Sequence, residues 1–208
     1  PSLRRKVDPT IRSAFEQACR IIERDLRLPV EWVERPFPDT LLPDFETLYD
    51  VETAQRLSEY REQWPYFEPS LRQVCENGAA TEVFTYARAL RRRHDYAAAL
   101  ASLVGQDAVL LTPVRNRLAP ALTAEAAQDN AAALQAEVEG ITNTMDFNMT
   151  GTPALTVPMG LDSNGVPMGL QIAAPRWRDG LAWGLALAYE RAAPWPTCAP
   201  GYRPFGLD

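Results

Sequence analysis

Apolar positions recur at helical spacing through the first hundred residues and give way to short runs further on. Ile11, Phe15, Ala18, Ile22 and Leu26 fall on one helix face. Asp8 precedes them as an N-cap, and Pro9 fits the first turn, where its missing N–H has no role. Pro29 closes that helix, and Val30-Glu31-Trp32-Val33 alternates as a short strand does. Between Thr40 and Trp64, the residues Leu48, Val51, Ala54, Leu57 and Tyr60 form another helical stripe. Pro65, Pro69, Asn77 and Gly78 then mark an irregular connection. A long helix is predicted from Thr81 to Val104, with Val83, Ala87, Leu90, Ala97, Ala101 and Val104 inward.

The pattern changes at Ala108-Val109-Leu110-Leu111, a continuous apolar run closed by Thr112-Pro113, which predicts a fully buried strand. Thr123 can cap an alanine-rich helix with Ala127, Leu134, Val138 and Ile141 inward. Ala154 to Val157 and Met168 to Ile172 are two further strands joined by a turn. Asp179 caps a last helix, Leu181 to Glu190, apolar on most sides and so expected to be well buried. Helices alternating with apolar strands predict an α/β fold, a mixed β-sheet covered by helices, with residues 1–208 forming part of one domain.

Composition narrows the function classes. The 208 residues are 46% hydrophobic and 23% charged, ordinary values for a folded protein. A net charge of -6 argues against a general nucleic-acid binder, which needs a basic surface. No apolar run approaches the length of a bilayer span, so no membrane partner is expected. Cys19, Cys75 and Cys198 are odd in number and widely spaced, which fits reduced thiols in the cytoplasm. With one histidine and scattered cysteines the chain offers no typical transition-metal site, and no cofactor is implied.

The candidate chemistry is sparse. Gly151, Gly160, Gly165 and Gly169 fit no phosphate-loop pattern and read as turn and packing positions. His94 lies on the stripe of Leu90 and Ala97, so it reads as a core or boundary histidine, with a role as base the lesser alternative. The run Arg91-Arg92-Arg93 reads as a solvated helix face. The acid pairs Asp44/Glu46 and Glu125/Asp129 read as surface charge. The sequon Asn148-Met149-Thr150 is read as coincidental.

The segment Asn148 to Pro175, N-M-T-G-T-P-A-L-T-V-P-M-G-L-D-S-N-G-V-P-M-G-L-Q-I-A-A-P, together with D-A-V-L-L-T-P at Asp107 to Pro113, resembles the C-terminal portion of amidase-signature hydrolases. Asn148, Gly151, Pro153, Pro158, Gly160, Gly165, Pro167, Gly169 and Gln171 match the closing pattern of that family. Weaker likeness runs through Val7-Asp8-Pro9, Glu31-Trp32-Val33 and Asn77-Gly78. The resemblance implies hydrolysis of an amide or related C–N bond in a small-molecule substrate by a serine nucleophile, a second serine with a cis peptide bond, and a lysine base. The nucleophile needs a base to take its proton, and backbone N–H groups to hold the oxyanion.

That catalytic unit is missing from the 208 residues. Ser2, Ser13, Ser58, Ser70, Ser102 and Ser163 include no adjacent or glycine-flanked pair, and Lys6, the only lysine, matches no catalytic lysine. No catalytic role is therefore carried over. What the resemblance implies is a substrate-pocket wall: Thr112 and Pro113 at the exit of the buried strand, and a loop of Phe147, Asn148 and Met149. The expected partners are an N-terminal amidase segment, on the same or a separate chain, or a second copy covering an uncovered sheet edge. A non-catalytic binding subunit derived from an amidase is the alternative.

Overall fold

A computed structural model of the chain describes residues 7–119 and 143–196. Its first helix, α1, spans Pro9–Arg24, with the Asp8 carboxylate accepting the Thr10 N–H at 2.8 Å. Helix α2 spans Leu41–Arg56 and runs into a 3-10 stretch, Ser58–Tyr66. Helices α3, Pro69–Ala80, and α4, Val83–Val104, follow. Strand β1, Leu110–Pro113, precedes a short helix α5, Thr144–Thr150. Strands β2, Ala154–Leu161, and β3, Pro167–Ala173, form a hairpin, and α6, Asp179–Ala192, ends the series.

The helix-covered sheet expected of an α/β fold is present. Among the described residues it has three strands in the order β1-β3-β2, with both pairings antiparallel. The strand period of two divides the side chains between two cores. Leu170 and Ile172 of β3 face α1 and α6, meeting Ile11, Ala18, Ile22, Ala182 and Tyr189. Ala173 faces the opposite layer, where Leu41, Leu48, Ala89, Tyr96 and Leu100 of α2 and α4 enclose Met145, Phe147 and Met149 of α5. At the hairpin turn, the Asp162 carboxylate accepts the N–H groups of Asn164 and Val166, and the Asp162 N–H donates to the Val166 carbonyl at 2.9 Å, which together set the turn.

Several local expectations are corrected. Val30 to Val33 forms no strand: it finds no ladder partner among the described residues, and Trp32 stays 70% exposed, its ring edge-to-face with Phe15. Pro69 and Asn77 lie not in an irregular connection but in α3. Glu68 caps that helix by accepting the N–H groups of Ser70 and Leu71, with Pro69 in the first turn. Gly78 is buried where α3 crosses α2, and a Cβ there would sit 2.1 Å from the Asp50 carbonyl oxygen. The inward face of α4 is Ala89, Tyr96 and Leu100; Val83 and Ala87 are exposed, and so is His94. Strand β1 is half-buried throughout. Trp183 and Leu187 leave one side of α6 open. The helix expected at Thr123, the pair Glu125/Asp129 and Cys198 lie outside the described residues.

Asp44 is not surface charge. It is 2% exposed, paired with Arg92, and accepts the Tyr96 hydroxyl proton; the Thr40 hydroxyl lies 2.8 Å from Tyr96 Oη. This network ties α2 to α4. Burial, and then the bond to Asp44, push the Tyr96 hydroxyl above its usual range, so it stays a donor. No helix among the described residues is long and apolar enough to cross a membrane. Cys19 and Cys75 are buried free thiols.

Candidate functional site

The exit of β1 is pinned by a small polar knot. Asn143 donates from Nδ2 to the Pro113 carbonyl at 2.7 Å and to Asn116 Oδ1 at 2.9 Å, while its backbone N–H donates to Val114 at 2.9 Å. The Asp8 N–H donates to the Asn116 carbonyl at 2.8 Å, so the start of α1 joins the same knot. Asn116 and Asn143 are both buried, where an unmade hydrogen bond would be costly. The knot therefore fixes Pro113 against the first turn of α5.

Helix α5 has only seven residues and needs outside support to persist. Asp146, 4% exposed, forms a two-pronged pair with Arg35: Nε reaches Oδ2 at 2.9 Å and the terminal nitrogen reaches Oδ1. Arg35 also lies 5.1 Å from the centre of the Phe37 ring. At the other end, Arg93 donates from Nε to the Met149 carbonyl at 2.8 Å, and Thr150 donates to the Asp146 carbonyl at 3.0 Å. Gly151 closes the helix at φ 63°, a left-handed conformation that glycine adopts without strain.

The residues predicted to wall a pocket take distinct places. Thr112 and Pro113 are half-buried on β1, facing Gln171 and Leu170 across the pairing. Phe147, Asn148 and Met149 lie on α5 and not in a loop. Phe147 and Met149 are buried in the second core, whereas Asn148 is exposed. The knot brings Pro113 to the start of α5, but Asn148 belongs to its last turn. Thr112 Oγ1 and Gln171 Oε1, on facing residues, are buried with no hydrogen-bond partner among the described residues. A buried hydroxyl and an amide oxygen in that condition are suited to meet a polar group from another segment or a ligand.

Asn116, Asn143, Asp146 and Arg35 were missed by reading the sequence. Each acts through a partner distant in the chain, 111 residues for Arg35 and Asp146, and no local pattern announces such a pairing.

A family model described as Amidase matches residues 2–182. Fatty acid amide hydrolase of Arabidopsis thaliana is 34% identical over 86 residues, covering 41% of this chain and 14% of that protein. Among solved structures, one described as an amidase superposes with a TM-score of 0.77 at 24% identity, covering 92% of this chain and 44% of its own. A 6-aminohexanoate cyclic dimer hydrolase complexed with substrate gives 0.71 at 22% identity, covering 94% and 44%. The structural likeness speaks to the fold, and the chain spans less than half the length of these relatives.

Proposed function

The chain belongs to the amidase family, and from that premise we propose that it supplies the scaffold and substrate-pocket portion of an enzyme that hydrolyses a C–N bond of a small amide by serine chemistry. One observation carries this reading. The backbone follows amidase structures over more than nine-tenths of its length, yet its serines include no adjacent or glycine-flanked pair. The nucleophile and its base then come from an accompanying amidase segment, on the same or a separate chain, and residues 1–208 alone are inactive.

In this proposal Thr112 and Pro113 border the substrate cleft from β1. Phe147 and Met149 hold α5 in the core so that Asn148 stands at the surface to orient substrate or a loop. The unpartnered Thr112 hydroxyl and Gln171 amide oxygen meet polar groups of the accompanying segment. That segment, or a second copy of this chain, covers β2, which is an outer strand among the described residues, and the neighbouring Trp183 and Leu187, 61% and 49% exposed. The same open surface supports a second reading, a non-catalytic subunit holding a ligand or partner. The buried free thiols suit the cytoplasm.

The test is covalent labelling with a serine-directed fluorophosphonate, read by intact mass, on this chain mixed with an amidase segment that carries the paired serines and the lysine. The expected adduct forms on the segment and none forms on residues 1–208. A stoichiometric adduct on this chain would overturn the division of labour. No adduct on either, with both folded and associated, would favour the non-catalytic subunit.

A further inference from the structure

At the C-terminal end of α5 lies a cleft of about 550 Å³ whose lining includes Arg91, Arg93, His94, Thr150 and Arg176. Leu90 and Ala97 of α4 form its apolar wall. It holds three guanidinium groups and no carboxylate, an unusual balance in a chain with a net charge of -6.

Two of the arginines are already oriented. Arg93 donates from Nε to the Met149 carbonyl at 2.8 Å, and Arg176 donates from Nε to the Gly151 carbonyl at 3.3 Å. The two acceptors are two residues apart, at the end of one helix. Gly151 makes room for this arrangement, since a Cβ there would stand 3.1 Å from a terminal nitrogen of Arg176. Each guanidinium has five N–H donors, so one Nε bond leaves four. Among the described residues neither arginine forms an ion pair.

Satisfying the end of α5 explains one donor per arginine and leaves the rest unexplained. Arginines with restrained side chains, no counter-charge and an adjoining apolar wall are arranged to take a planar anion by paired hydrogen bonds. We propose that this cleft binds a carboxylate-bearing small molecule, the carboxylate shared between Arg93 and Arg176 and the attached carbon chain lying on Leu90 and Ala97. The site is at the far end of α5 from the knot at Asn143, and it does not depend on the amidase reading.

Equilibrium dialysis of the chain with radiolabelled glutarate tests it, because dialysis reads binding whether or not the chain self-associates. The expected result is saturable uptake at one site, competed by unlabelled glutarate and not by neutral glutaramide. Arg176→Gln, at an exposed position, should weaken binding about tenfold, the loss expected for a charge-assisted hydrogen bond. Arg176→Lys should recover little of it, because an ammonium does not fork. Circular dichroism confirms that both variants fold. Absence of saturable uptake, equal competition by glutaramide, or unchanged binding in Arg176→Gln would overturn the proposal. The dialysis is repeated with the amidase segment bound. Glutarate uptake that persists supports a small-molecule site, whereas its loss on association assigns the cleft to a carboxylate of that segment and overturns it.

Discussion

Removing the Asp146 carboxylate should loosen α5 more than any other single change in that helix. The side chain of Asp146 is 5% exposed and that of Arg35 22% exposed, so the pair is shielded but not sealed. Breaking a fully buried ion pair from one side costs about 3–5 kcal/mol, chiefly because the remaining charge is stranded. Arg35 keeps some solvent, the Phe37 carbonyl at 3.3 Å and the Phe37 ring, which lowers the expectation for Asp146→Ala to about 2–3 kcal/mol. Pulse proteolysis across a urea series, at fixed protein concentration, measures the loss even in a chain that associates. Arg35→Met and the double variant complete a thermodynamic cycle. The pair should show a coupling of about 1.5 kcal/mol or more, so that the double variant loses less than the sum of the singles. Single effects that add to within about 0.5 kcal/mol would refute the claim that this pair holds the helix.

Further outcomes follow from the same structure. Gly151→Ala should cost about 1 kcal/mol for the left-handed backbone and should also displace Arg176, so it should weaken glutarate uptake; a neutral variant by both measures would contradict the geometry. Gly78→Ala places a methyl group against the Asp50 backbone and should destabilise by about 2 kcal/mol or more in the same proteolysis assay; wild-type stability would show that α2 and α3 cross less closely. Burial, reinforced by Glu16, raises the Cys19 thiol from 9.0 to about 11. The folded state therefore favours the protonated thiol: its contribution is fully present below pH 9 and is lost as pH rises towards 11. Cys19→Ala should flatten stability over that window, and an unchanged slope would contradict this assignment.

The sequence revealed elements whose signals are local. Asp8-Pro9 and the spacing of Ile11, Ala18 and Ile22 announce α1, and the two short apolar runs joined by a turn, Ala154 to Val157 and Met168 to Ile172, announce the β2–β3 hairpin. It misled where burial depends on distant partners. Of the stripe from Val83 to Val104, Val83, Ala87 and Ala101 are exposed and Leu90, Ala97 and Val104 half-buried, and α4 buries Ala89, Tyr96 and Leu100 instead, with the Tyr96 hydroxyl on Asp44. Val30 to Val33 alternates like a strand without a ladder to join. The end of β1 at Thr112 and Pro113 was legible from the apolar run it closes. The knot of Asn116 and Asn143 and the anchor of Arg35 on Asp146 were not, because each contact joins residues far apart in sequence.

Hydrolysis of a small panel of aryl amides, by residues 1–208 alone and by the same chain mixed with its accompanying amidase segment, tests the central claim most directly. The account predicts turnover only in the mixture, lowered by Asn148→Ala at unchanged stability. Turnover by residues 1–208 alone would contradict it, because the reacting groups would then lie within a chain whose serines carry no nucleophile motif.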